Sequence, residues 1–300
     1  MVGELKGVLA AVPTPMNKDG TINTAMAKPI AERILKAGVD GIVTTGTTGE
    51  VTALSFEEHQ SIVKAYVEAV RGKTPIIAGI ATNSTKETIK YCQSSEKIGV
   101  HAVMVVPPFY DPLPFNTLKT FYQTISDHVN IPMMYYNLPG ATGVHLTAEQ
   151  IRELGTIKNL KYLKDTSGNA KEQVDLLVYE QQTAQVDIQT FNGWDTLCFS
   201  ALALGAQGII VGIATIVPEE CAQFYKTLAV DGNLQEARKQ WAFLWELASF
   251  MESVNYPAGV KAGLEIIGID AGPLREPTLP LSKNELEQLR GILAKRTSKD

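Results

Sequence analysis

Cysteine is scarce in this sequence: three residues in 300, Cys92, Cys198 and Cys221, widely spaced and without a CxxC pair. That scarcity excludes a disulfide framework and a zinc-ribbon type of site, and it fits a reducing, cytoplasmic setting. No uncharged apolar run reaches the roughly 20 residues of a membrane-spanning helix. The first residues, "MVGELKGVLAAVPTP", have neither the long apolar core nor the small-residue cleavage site of a secretory leader. Nothing here addresses the chain to a membrane. Strong charge is missing as well. A formal net charge of −5 without any basic run excludes a nucleic-acid surface. Only four histidines occur, His59, His101, His128 and His145, all on expected helices or turns where a structural or solvated imidazole is the simpler reading. With no acid cluster beside them, no metal is expected.

What is present is a periodic alternation. With 45% hydrophobic and 20% charged residues, the composition is that of a globular chain long enough for one large barrel or two average domains. β-Rich apolar runs occur at 7–15, 41–46, 75–80, 102–108, 131–137, 159–165, 188–193 and 208–212. Each precedes a longer amphipathic stretch, and these predict helices near 24–37, 55–71, 84–98, 115–128, 147–154, 170–181, 195–204 and 219–230. Ser55 with Glu58 and Thr147 with Gln150 form capping boxes at two of the helix starts. Strand–helix units of this spacing predict an α/β fold, a closed (β/α)8 TIM barrel. An open doubly wound sheet is the alternative, but "GTTGE" (46–50) lacks the GxGxxG spacing of its fingerprint. Beyond 231 the pattern is purely helical, near 233–253, 257–268 and 284–296. The chain therefore divides into a barrel over 1–231 and a C-terminal three-helix extension over 232–300.

Such barrels carry their chemistry at the C-terminal ends of the strands and in the loops that follow. That rule selects Thr47 and Thr48, Phe109 and Tyr110, Tyr136 and Asn137, Lys164, Gly193 to Asp195, and Gly208 to Gly212. Strict alternation along "NLKYLKD" (159–165) puts Leu160, Tyr162 and Lys164 on one face and Lys161, Leu163 and Asp165 on the other. Only one of the two lysines can face the interior. Desolvation in an apolar interior favours a neutral amine, and a neutral amine attacks ketones. With a 2-oxo acid it gives a Schiff base, whose protonated imine accepts the electron pair left when a proton departs from C3. The resulting enamine makes or breaks a carbon–carbon bond without a cofactor. Tyr136, one strand over, is placed to carry protons, and a threonine hydroxyl can relay them to a second tyrosine. "GTTGE" offers consecutive N–H groups and two hydroxyls at a strand-to-helix turn, which suits a carboxylate such as that of pyruvate. The simpler reading is a structural Lys164 and a core Tyr136, although Asp165 faces the wrong way to pair with that lysine.

The order and spacing of "GTTGE" (46–50), "PIIAGIATNSTKETI" (75–89), "PPFYDP" (107–112), "YNLPGATG" (136–143), "KDTSGN" (164–169) and "GAQGIIVG" (205–212) carry a resemblance. From about residue 7 to 295 the chain resembles the dihydrodipicolinate synthase and N-acetylneuraminate lyase family of pyruvate-dependent class I aldolases. The resemblance implies a barrel with three C-terminal helices, usually a homotetramer built as a dimer of dimers. It implies that Lys164 is the Schiff-base lysine and Tyr136 the catalytic acid and base. Thr47 would relay protons between Tyr136 and Tyr110, the latter entering a neighbouring subunit's site, with Phe109 the alternative at a one-residue slip. Thr48 would hold the pyruvate carboxylate, and Gly193 and Ile210 would line the pocket. The partners implied are pyruvate and an aldehyde, with the imine on Lys164 in place of any cofactor.

The departures from the family pattern bear on the substrate. Ala141 stands where the synthase branch has an arginine that grips the carboxylate of aspartate semialdehyde, and 131–151 contains no Arg or Lys. A methyl group cannot replace a bidentate donor. His59, Asn83 and Glu87 match the family's lysine-inhibition pocket, but Phe56 and Phe109 replace a histidine and a tyrosine there, so feedback by lysine is not expected. Asp195 and Thr196 stand in place of the Asp–Glu pair of the sialic-acid branch. The resulting expectation is a 2-keto-3-deoxy sugar-acid aldolase or dehydratase. The alternatives are a 4-hydroxy-tetrahydrodipicolinate synthase and, more remotely, a non-catalytic 2-oxo acid sensor.

Overall fold

Runs rich in Val, Ile and Met form the strands, which a computed structural model resolves as β1 (Gly7–Ala11), β2 (Gly41–Thr44), β3 (Ile76–Ile80), β4 (Ala102–Val105), β5 (Met133–Asn137), β6 (Leu160–Asp165), β7 (Gln189–Asn192) and β8 (Gly208–Val211). The structure describes residues 4–182 and 188–296; 297–300, the end of the expected C-terminal extension, lie outside the described residues. Each strand pairs in parallel with the next, and β8 pairs with β1 to close the barrel. Parallel strands are covered on both faces, so they read in sequence as nearly unbroken apolar runs. One set of side chains, including Leu9, Val43, Ile77, Met104, Met134, Phe191 and Ile210, fills the interior. Their neighbours, such as Val8, Ile42, Ile76, Val103 and Tyr135, pack outward against the helices. Each large aliphatic group so buried contributes about 2 kcal/mol relative to exposure.

Two departures from the expected strands have local causes. β1 stops at Ala11 rather than 15, because Pro13 and Pro15 have no N–H to give a ladder. In β6 the register against β5 shifts: Met133 faces Leu160 but Met134 faces Tyr162, leaving Lys161 as the extra residue of a bulge. The bulge sends Leu160 to the outer, helix-side layer, not to the face of Lys164 that strict alternation predicts. From Tyr162 onward alternation resumes, with Tyr162 inside and Leu163 outside. Lys161 is exposed and Lys164 is buried.

The helices largely follow the amphipathic stretches, and both capping boxes form. Ser55 Oγ accepts the Glu58 N–H at 3.1 Å while Glu58 accepts the Ser55 N–H at 2.8 Å. Thr147 and Gln150 repeat the exchange at 3.3 and 3.0 Å. The expected helix at 24–37 is a 3-10 turn, Thr24–Met26, followed by Ala27–Lys36. The stretch 195–204 divides into Asp195–Leu197 and Cys198–Ala203, and 219–230 into Pro218–Tyr225 and a π turn, Lys226–Val230. Two four-residue helices, Pro139–Thr142 and Ile213–Ile216, are too short to leave a periodic signal. After the barrel come Leu234–Ser253, Tyr256–Ile266 and Lys283–Ala294. Among the described residues, no helix is long and apolar enough to cross a membrane.

Candidate active site

The loop after β2 is set by close backbone approach. Thr45 adopts φ 51°, the left-handed region that a β-branched residue rarely visits. Its hydroxyl donates to Gly79 O at 2.9 Å, and a Cβ on Gly79 would lie 2.4 Å from Thr45 O. Glycine at 79 is what lets the two segments touch. His59 Nε2 sits 2.9 Å from the same Gly79 carbonyl, and burial depresses its pKa to about 4. His59 is thus a neutral structural imidazole, in keeping with the simpler reading of the sequence. The turn this framework supports carries Thr47 and Thr48 toward the barrel mouth.

Lys164 and Tyr136 are direct partners across β6 and β5, at 6% and 3% exposure. The lysine Nζ stands 4.2 Å from the centroid of the tyrosine ring, and Thr47 Oγ1 lies 3.3 Å from the phenol oxygen. Burial pushes the Tyr136 phenol up, but the Lys164 charge and the Thr47 hydroxyl outweigh it and leave the phenol below its ordinary value. Asp165 faces away, held by Asn137 Nδ2 at 2.9 Å and the Ser167 N–H at 3.2 Å, as alternation requires.

Gly193, just beyond β7, is a steric requirement. A Cβ there would fall 2.6 Å from Lys164 Cε and 2.3 Å from Thr166 Oγ1. Gly193→Ala must therefore displace the lysine stem. The overpacking should cost about 1–3 kcal/mol of stability and lower Tm by several degrees, and the displaced amine should form its imine with pyruvate roughly tenfold to hundredfold more slowly. Single-turnover trapping with pyruvate and borohydride, beside a melting curve, checks this; an unaltered rate refutes it.

A cavity of about 220 Å³ gathers Thr47, Thr48, Tyr136, Lys164, Gly193 and Ile210 from five strand ends. Tyr110 and Ala141 are not among its walls. Tyr110 is 90% exposed, its N–H resting on Asn83 Oδ1 at 3.3 Å, and Ala141 is exposed on the Pro139–Thr142 helix. The structure adds walls that were not selected from the sequence. Thr166 comes from the barrel, while Met251, Glu252 and Tyr256 come from the C-terminal helices Leu234–Ser253 and Tyr256–Ile266; Trp194 and Asp195, from the selected stretch 193–195, line the cavity too. Asp195, 4% exposed, accepts from Tyr256 Oη at 2.7 Å, and Tyr256 Oη accepts the Gly212 N–H at 2.8 Å. Burial, with a smaller contribution from Glu252, pushes the Asp195 carboxyl up to about 7 against the Tyr256 hydrogen bond. Glu252 accepts from Thr196 N and Oγ1 at 2.8 and 2.9 Å. Asp195 belongs to the stretch 193–195 that the barrel rule selects. Glu252 and Tyr256 left no signal, because helical periodicity does not say which helix reaches the barrel mouth. Among the described residues, no group of three or more His, Cys, Asp or Glu could hold a metal ion.

Comparison with known proteins gives a consistent result. The Dihydrodipicolinate synthetase family matches residues 4–296. The 4-hydroxy-tetrahydrodipicolinate synthase of Archaeoglobus fulgidus is 32% identical over 290 residues, spanning 96% of this chain and 97% of its own. That of Desulforudis audaxviator is 31% identical over 286 residues, spanning 95% and 96%. The dihydrodipicolinate synthase of Acinetobacter baumannii, solved with pyruvate, superposes with a TM-score of 0.92 at 29% identity, covering 97% of this chain and 98% of that one. An inward lysine beside a tyrosine and a threonine at the mouth of a (β/α)8 barrel, joined to this similarity over nearly the whole chain, leads to one conclusion: the chain belongs to the dihydrodipicolinate synthetase family and is a lyase of the pyruvate-dependent class I aldolase type.

Proposed function

We propose that this enzyme captures a 2-oxo acid as an imine on Lys164 and acts on 2-keto-3-deoxy sugar acids, as aldolase or dehydratase. The lysine amine attacks the keto carbon, water leaves, and Tyr136 with Thr47 passes the protons these steps require. The Thr48 N–H in the 46–50 turn takes the carboxylate. Loss of a C3 proton gives the enamine, which either joins an aldehyde carbon or expels a C4 hydroxyl as water; cleavage runs the first route backward. No cofactor enters the scheme. Tyr110, fully accessible in the single chain, is assigned to the site of a neighbouring copy in a homotetramer, where it extends the Tyr136–Thr47 relay. The three described cysteines are free and buried, and a cytoplasmic setting goes with that.

One observation carries the choice of substrate. Among the described residues lining the cavity, Lys164 is the single cation, and it is consumed by the imine, whereas Asp195 and Glu252 supply two acids. Ala141 offers no guanidinium. Such walls favour a neutral hydroxylated tail over a second carboxylate. The names of the relatives support the second reading, condensation of pyruvate with aspartate semialdehyde. Steady-state assays with pyruvate and either glyceraldehyde or aspartate semialdehyde separate the two. A missing charge-assisted bidentate contact corresponds to a roughly hundredfold preference, so kcat/KM should favour glyceraldehyde by about that factor. A preference for aspartate semialdehyde overturns the sugar-acid reading and installs the synthase. The sensor reading requires that no turnover occur with any aldehyde, and family membership weighs against it.

A further inference from the structure

The 46–50 turn is gripped from outside the barrel by a buried ion pair. Glu50, its last residue, adopts φ 55°, a left-handed conformation that costs a non-glycine residue of order 1 kcal/mol and persists only when its surroundings enforce it. The Glu50 side chain is 4% exposed and lies 2.7 Å from Lys261 Nζ, on a side chain 6% exposed. Its other oxygen accepts the Arg275 N–H at 2.9 Å, and Lys261 also donates to Pro273 O. Both grips on Glu50 therefore come from the C-terminal segment, Lys261 in Tyr256–Ile266 and Arg275 in the stretch that follows. The Arg275 guanidinium continues the chain of contacts to Ala53 O at 2.7 Å and to both Glu58 oxygens at 2.7 and 2.8 Å.

A buried ion pair adds little net stability, since desolvation offsets most of its attraction; its place in the fold must be explained otherwise. Within the turn, Glu50 N donates to Thr47 O and Gly49 N to Gly46 O, each at 3.0 Å, and Thr14 Oγ1 donates to Gly49 O at 2.6 Å. Moving Glu50 therefore moves the peptide units that aim Thr47 at Tyr136 and Thr48 at the cavity. The helix that carries Lys261 also begins with Tyr256, a cavity wall, so one rigid element touches both the floor of the turn and the mouth of the site.

We propose that the Lys261–Glu50 pair is a positioning device that fixes the 46–50 turn for binding the substrate carboxylate. Lys261 and Glu50 act through the turn and touch no reacting atom. The inference rests on the reading of that turn as the carboxylate cradle, and its test keeps the two separable. Three proteins are compared with the wild type: Lys261→Met, Glu50→Gln and the double variant Glu50→Gln/Lys261→Met, each with a melting curve, steady-state kinetics in pyruvate and in aldehyde, and borohydride trapping at saturating pyruvate. Lys261→Met strands a buried carboxylate and should lower Tm, and the double variant, with no lone charge, should recover most of it. In every folded variant the KM for pyruvate should rise about tenfold, the KM for the aldehyde should stay, and kcat should change less than about threefold. Trapping at saturating pyruvate should persist. A double variant with recovered Tm and a wild-type KM for pyruvate overturns the proposal, as does an equal rise in both KM values. Failure of the wild-type protein to trap pyruvate would instead overturn the Schiff-base reading itself.

Discussion

Lys164→Ala is expected to lower kcat/KM by roughly 10,000-fold or more, because in the proposed scheme the amine is the nucleophile and no other amine lines the cavity among the described residues. The other lysine of the strand cannot serve. Lys161 sits on the bulge and faces solvent, so it has no access to Tyr136 or to the 46–50 turn. The substitution has a second readout that does not depend on turnover. Lys164 is the main influence pulling the Tyr136 phenol down, and with the ammonium gone burial dominates and the pKa of the phenol rises. A tyrosinate absorbance titration, with Tyr136→Phe as the reference that isolates this ring, should show the shift. An unmoved titration means that the two groups are not in contact in solution. Activity within tenfold of wild type means that Lys164 is a structural charge.

Tyr136→Phe should cost 10²- to 10⁴-fold in kcat, the range for loss of a positioned proton donor and acceptor. The ring is kept, so the packing of the interior around Met134, Tyr162 and Phe191 is retained and Tm should move little. Loss of the hydroxyl removes the 3.3 Å partner of Thr47 Oγ1 and, in the proposed scheme, interrupts the route by which protons reach the nitrogen and C3. Imine formation should slow while the fully formed adduct remains detectable, which distinguishes a proton carrier from a binding residue. A rise in the KM for pyruvate at unchanged kcat would assign Tyr136 to binding instead.

The barrel was legible because parallel strands, covered on both sides, spell continuous apolar runs, and because amphipathic stretches of helical length return the chain between them. What escaped was local. Nothing in "NLKYLKD" announces a bulge, since an extra residue at Lys161 is decided by the register of the neighbouring β5 and not by the strand's own pattern. Lys164 nonetheless faces inward, because the bulge precedes it and alternation holds from Tyr162 on. The division of 219–230 at Tyr225 into an α-helix and a π turn likewise has no compositional mark.

The site was legible to the extent that strand ends define it. Thr47, Thr48, Tyr136, Lys164, Gly193 and Ile210 meet around one cavity because each lies near or just beyond the C-terminal end of a strand of the closed barrel. Glu252 and Tyr256 were not legible, since they reach the mouth by tertiary packing of helices whose apolar faces look like those of any other. Tyr110 and Ala141 stand on the surface of the single chain, outside the walls of that cavity. The buried pairing of Glu50 with Lys261 spans 211 positions of sequence and has no local signature at either end.

The most direct test of the imine on Lys164 is trapping. The wild-type protein is incubated with pyruvate, reduced with borohydride, digested and mapped by mass spectrometry, with Lys164→Ala treated in parallel. A single reduced pyruvyl group on the peptide containing Lys164, absent without pyruvate and absent from the variant, is the expected result. No adduct, or an adduct confined to Lys161, contradicts the mechanism.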